Sequence, residues 1–197
     1  QISYDISDSL NLTFTITALF TAPVIAANTD DTDTADIGTS LRLVAPHVQT
    51  VTDTAQSLWK WAELGYLETE SSGLLQETLA AAGFRIDTGV GGIPTAFTAS
   101  FGNGKPVIGI MGEFDALPGI SQAAVPYAES LDGKPNGHAC GHNLFGAGSL
   151  GAALAVKDWL EKTGQPGTVR FFGTPAEEGG SGKVYLVRTG AFDEVGR

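Results

Sequence analysis

The sequence predicts an α/β fold, with a mixed, mainly parallel sheet flanked by helices. Three observations predict it. Apolar positions recur at helical spacing in some windows and as short continuous runs in others. Glycine is abundant, 26 residues, as tight strand-to-helix turns require. From residue 107 to residue 189 the order is strand, loop, long helix, strand, helix, the pattern of a crossover between parallel strands.

Taken in order, residues 1–27 hold a charge-free apolar run, Leu10 to Ala27, that ends in small residues. It reads as a secretory signal peptide or apolar leader, although no Lys or Arg precedes Arg42. An export signal would put the protein in the periplasm or outside the cell; without one it is cytoplasmic. Residues 28–39 are rich in Asp and Thr and read as an acidic linker. The folded unit then covers 40–197. Leu43, Val44, His47, Val48, Val51, Ala55, Leu58, Trp59 and Ala62 predict one amphipathic helix to about Leu64. A second helix is expected from Glu70 to Ala82, closed by Gly83. Strands follow at 84–88, 95–101 and 107–111, with Gly102-Asn103-Gly104 as a hairpin turn between the last two. A long helix over 143–163, a strand over 168–173 and a helix over 181–189 complete the pattern.

Composition narrows the function. The chain has 197 residues and 42% apolar content, enough to bury a core. Its 22 acidic against 11 basic residues give a formal net charge of −11, which argues against nucleic acid or an anionic membrane as partner. The single cysteine excludes an intrachain disulfide, so Cys140 is a small apolar residue, a redox thiol or a metal ligand.

The stretch Gly137-His138-Ala139-Cys140-Gly141-His142-Asn143 favours the ligand reading. It gathers two of the three histidines and the only cysteine. Imidazole, thiolate and carboxylate are the groups that bind a borderline-soft divalent cation. Downstream, Glu177-Glu178 precedes Gly179-Gly180. Adjacent carboxylates in an extended or turn segment cannot face one way, so one binds metal while the other acts as general base. A solvated acidic loop is the plain alternative; placement after an apolar strand weighs against it. Glu113 and Asp115 lie just past strand 107–111. Asp115 either holds a metal ligand in place or forms the turn before Ala116-Leu117-Pro118. Since ligands in open α/β sheets collect at strand carboxyl ends, these three segments can converge. Two other motifs carry no site. Gly146-Ala147-Gly148-Ser149-Leu150-Gly151 matches a dinucleotide fingerprint but falls inside a helix, and Gly182-Lys183 lacks the first glycine of a phosphate loop.

Together with Glu113-Phe114-Asp115-Ala116-Leu117-Pro118, Pro175-Ala176-Glu177-Glu178-Gly179-Gly180 and Trp61-Ala62-Glu63-Leu64-Gly65-Tyr66, the Cys/His stretch resembles the aminoacylase and carboxypeptidase-type dinuclear metallopeptidases. It is most similar to their amidohydrolase branch, which includes the auxin-conjugate and p-aminobenzoyl-glutamate hydrolases; Asn143 matches the latter. The resemblance implies two divalent ions, Zn2+ or Mn2+, with Cys140, His142 and Glu178 as ligands. Glu177 would be the general base, His138 a neighbour of the ligands, and Asp115 a support. It also implies hydrolysis of N-acyl or N-aroyl amino acids or dipeptide-like substrates by a homo-oligomeric whole protein. The wider family has His-x-Asp where this chain has Glu113-Phe114-Asp115, which leaves Glu113 without an assigned role. Members carry two further histidines and a lid domain, whereas no histidine follows His142 here. The expectation is therefore the N-terminal half of the catalytic domain, a truncated piece that does not turn over by itself. The reading from another class is a non-catalytic metal-binding or inactive paralogue using Cys140 and His142 alone; metal stoichiometry separates the two.

Overall fold

The computed structural model describes residues 31–196, with side chains from residue 37 onward. The leader expected over residues 1–27 lies outside the described residues. The chain divides into residues 1–37 and 38–197. Helix α1 covers Asp31–Val44, so the segment expected to be a linker is helical from Asp31. Its composition argues against burial, which is a different matter from local helicity; Arg42 in the last turn also suits the negative end of the dipole.

The single helix predicted over 40–64 is broken. A 3₁₀ turn, Ala45–His47, leads into helix α2, Val48–Trp61. Pro46 lacks the N–H that a continuous helix needs. Helix α3, Thr69–Ala81, ends as expected at Gly83 (φ 92°), where the Phe84 amide bonds the Leu79 carbonyl and the Gly83 amide bonds Ala80.

Strands β1 (Arg85–Thr88), β2 (Phe97–Asn103), β3 (Val107–Gly112) and β4 (Gly167–Gly173) form one sheet in the order β1-β2-β4-β3. The sheet is mixed. However, β1/β2 and β2/β4 are antiparallel and only β3/β4 is parallel, so "mainly parallel" is corrected for the described residues. The expected β2–β3 hairpin is also absent, because β4 occupies the place between them. The cause is hydrophobic. Val169, Phe171 and Phe172 of β4 are fully buried, which suits a central strand covered on both faces.

Helix α4, His142–Thr163, makes the crossover from β3 to β4. Its buried Leu150, Ala153 and Leu154 pack with Leu58, Leu75, Leu79, Phe97, Phe114 and Phe171 in one core. Phe97 stacks on Phe171 with ring centroids 5.6 Å apart. Each such side chain contributes about 1.5–3 kcal/mol by leaving water. Two of the three fingerprint-like glycines serve this packing: a Cβ at Gly146 would stand 2.7 Å from the Glu113 carbonyl oxygen, and one at Gly151 2.6 Å from Val51, while Gly148 faces open space. Helix α5, Gly182–Arg188, closes the described order. Because β3 and β4 run parallel with Gly112 opposite Gly173, the loops leaving them lie side by side. The Thr174 amide donates to the Gly112 carbonyl at 2.9 Å, and α4 starts against the same edge.

Candidate metal centre

The first site carboxylate is Asp115, 1% exposed on the loop after β3. Its Oδ1 lies 3.0 Å from Nδ1 of His142, and its Oδ2 accepts the backbone N–H of Glu178 at 2.8 Å. One side chain thus ties the first turn of α4 to the loop after β4. An ionised carboxylate only accepts, so Nδ1 of His142 carries the proton and Nε2 faces the opposite way. Burial works against ionised Asp115, but the hydrogen bonds from His142 and Glu178 outweigh it and hold its pKa below the ordinary value.

Around Nε2 of His142 stand three more carboxylates. Glu113 Oε2 is at 2.8 Å, Glu177 Oε2 at 3.9 Å and Glu178 Oε1 at 4.0 Å. The bond to Asp115 raises the pKa of His142; burial opposes this, while the charges of Asp115, Glu113 and Glu178 add to it. Glu113 is also paired with Nζ of Lys183, at the start of α5. Cys140 is exposed, and the adjoining Glu178 carboxylate raises the pKa of its thiol, with Glu177 and Asp115 adding to the effect.

A divalent cation fits this donor set. Oε1 of Glu178 is buried without a hydrogen-bond partner, and a carboxylate oxygen in that state calls for a positive charge. Ligand atoms of Glu113, His142 and Glu177 lie within 4.8 Å of one another. Four carboxylates around one imidazole repel each other, which a cation relieves.

All five residues singled out from sequence, Asp115, Cys140, His142, Glu177 and Glu178, lie in this one neighbourhood. The tightest trio is nonetheless Glu113, His142 and Glu177 rather than Cys140, His142 and Glu178. His138 stands beside the site: Nε2 donates to the Leu58 carbonyl at 3.0 Å, Nδ1 is buried and unpartnered, and burial lowers its pKa. Sequence reasoning missed Lys183, dismissed as a stray phosphate-loop pair. The unassigned acid at 113 was the available signal, since a carboxylate facing other carboxylates invites a cation.

Known proteins resemble this chain in sequence and in fold. Residues 109–196 match the model of Peptidase family M20/M25/M40. The chain is 52% identical over 148 residues to one of the subunits of p-aminobenzoyl-glutamate hydrolase from Escherichia coli (strain K12), covering 75% of this chain and 31% of that protein. It is 33% identical over 158 residues to Xaa-Arg dipeptidase of Homo sapiens, covering 72% of this chain and 32% of that one. Among solved structures, a dinuclear metal binding peptidase from the M20 family of Bacillus subtilis superposes with a TM-score of 0.63 at 28% identity. That match covers 75% of this chain and 40% of the other. The chain spans about a third of the length of the curated relatives it matches. Residues 109–196 therefore carry the sequence of Peptidase family M20/M25/M40, and the relatives and the solved structure agree with that match.

Proposed function

We propose that the whole protein hydrolyses the amide bond of N-acyl or N-aroyl amino acids, p-aminobenzoyl-glutamate and small dipeptides among them. Cys140, His142 and Glu178 hold metal and Glu177 is the general base. The observation that carries this is the pair of hydrogen bonds that Asp115 accepts, from His142 Nδ1 at 3.0 Å and from the Glu178 amide at 2.8 Å, which aims an imidazole and a carboxylate at one point. The names of the relatives, a p-aminobenzoyl-glutamate hydrolase and a dipeptidase, support the substrate class.

Two divalent ions, zinc or manganese, would be held by Cys140, His142 and Glu178, with Glu113 facing the same centre. Bound there, they supply Lewis-acid polarisation of the scissile carbonyl and a more acidic water. The chain's own residues do the rest. Asp115 fixes the His142 ring so that Nε2 stays turned to the centre. Glu177, half exposed and 3.9 Å from that nitrogen, takes a proton from the attacking water and returns it to the departing amine. Export and homo-oligomerisation of the whole protein belong to the same reading. No helix among the described residues is long and apolar enough to cross a membrane.

Glu177→Gln in the whole protein tests the reading. It should lower kcat by about 10²–10⁴-fold while leaving zinc affinity within about threefold. Hydrolysis of acyl amino acids by the variant at the normal rate would remove Glu177 from the mechanism.

A further inference from the structure

Glu68 is fully buried, and its carboxylate forms no ion pair among the described residues. Such a group is costly to bury unless hydrogen bonds offset the cost. It accepts from the Thr95 hydroxyl at 2.9 Å and from the backbone N–H of Ala176 at 2.8 Å. Ala176 immediately precedes Glu177-Glu178. On the far side of that pair, the carbonyl of Gly180 accepts from the Tyr66 hydroxyl at 2.5 Å. Two residues of one loop therefore grip the catalytic segment on both flanks.

The contact is close and its backbone is strained. A Cβ at Gly65 would lie 3.0 Å from Cα of Ala176, and one at Gly180 would lie 3.0 Å from the Tyr66 ring. Among the described residues four non-glycines have left-handed backbone, and three sit at this junction: Tyr66 (φ 68°), Ala176 (φ 56°) and Ser181 (φ 54°). Strain of this kind persists where the surroundings over-determine it, and it gathers at functional sites. The gripping loop is itself anchored. The Glu63 carboxylate accepts the Glu70 and Ser71 amides at 3.0 and 2.8 Å, and the Glu63 carbonyl accepts the amide of Ala116, next to Asp115, at 2.8 Å.

We propose that the Glu63–Glu68 loop is a clamp that sets the Glu177-Glu178 segment, with Glu68 and Tyr66 as positioning residues that never touch substrate. This deepens the hydrolase reading above and rests on it. Displacement of a reacting group by about 1 Å costs on the order of 10²-fold in rate, and loss of support for a metal ligand costs about 10–100-fold in affinity.

The test compares four variants of the whole zinc-loaded protein by kcat, KM, zinc affinity and Tm, with an N-acyl amino acid as substrate. Glu68→Leu should lower kcat by about 50-fold or more and zinc affinity by about tenfold, with KM within about threefold. Glu68→Gln, which keeps an oxygen for the Ala176 amide, should restore most of both. Tyr66→Phe should lower kcat by about fivefold with Tm nearly unchanged. Thr95→Val removes a bond to the same buried carboxylate without touching the segment, and should lower Tm while leaving kcat within about twofold. If kcat and zinc affinity survive in both Glu68→Leu and Tyr66→Phe, the clamp is wrong. If Thr95→Val loses kcat in step with Tm, the role is structural and the proposal also falls. Should Glu68→Leu not fold, Tyr66→Phe and Glu68→Gln decide. Absence of zinc-dependent hydrolysis in the unaltered protein would sink the hydrolase reading instead, while zinc affinity would still judge the clamp.

Discussion

Asp115 and Glu177 are both carboxylates beside His142, yet their surroundings differ. Asp115 is 1% exposed, with one oxygen on an imidazole and the other on a backbone amide. The side chain of Glu177 is 44% exposed and stands 3.9 Å from the same ring. A buried carboxylate with both oxygens occupied has one orientation, which suits a group that aims others. An exposed one can collect a proton in one place and release it in another. The contrast matches the proposed division, support by the first and proton transfer by the second, and it is open to attack from both sides.

The largest expected effect is on the buried member. Asn at position 115 must turn its amide NH₂ toward either the His142 Nδ1 proton or the Glu178 amide, donor against donor. Asp115→Asn should therefore weaken zinc binding by about 10–100-fold, where Glu177→Gln leaves it nearly intact. Titration calorimetry reads both; equal zinc affinity in Asp115→Asn and the unaltered protein would reduce Asp115 to a turn former. Next comes pH. Hydrogen bonding to Asp115 raises the pKa of His142, and the Glu178 carboxylate raises that of Cys140. Both groups thus hold their protons to higher pH than usual, and a cation must displace them. Apparent zinc affinity should rise with pH, by up to about tenfold per unit for each proton released, and fall as acid is added. A flat profile between weakly acid and weakly alkaline buffer would mean that neither group is a ligand. The smallest effect concerns Lys183, which neutralises Glu113. Lys183→Met removes a positive charge beside the centre and should tighten zinc binding by about fivefold, a difference of about 1 kcal/mol for one charge in a largely solvated setting. Weaker binding in that variant would instead make Lys183 part of the support.

What was legible in the sequence follows from locality. The Cys140–His142 spacing and the Glu177-Glu178 pair are contiguous motifs, and each lands beside a strand end where the apolar pattern places it. Asp115 stayed ambiguous because its two partners lie 27 and 63 residues away. The grip of Glu68 on Ala176 spans 108 residues and that of Tyr66 on Gly180 spans 114, so no window of the sequence contains either. The sheet shows the same limit. A Gly-Asn-Gly turn between two apolar runs reports a reversal of the chain, but not that a later, more apolar strand will enter the gap. Pro46 was visible and should have split the first helix; helical spacing continued through it and hid the break.

The late arrival of β4 has a consequence for biosynthesis. Until Gly167–Gly173 has left the ribosome, β2 and β3 each present a bare edge to solvent, and pairing at such edges is indiscriminate. Sheet closure waits for the whole of α4 to be made, so the β3–β4 pairing is non-local and slow to form. Chaperone demand should therefore peak while residues 107–167 are being translated and fall once the central strand is in place.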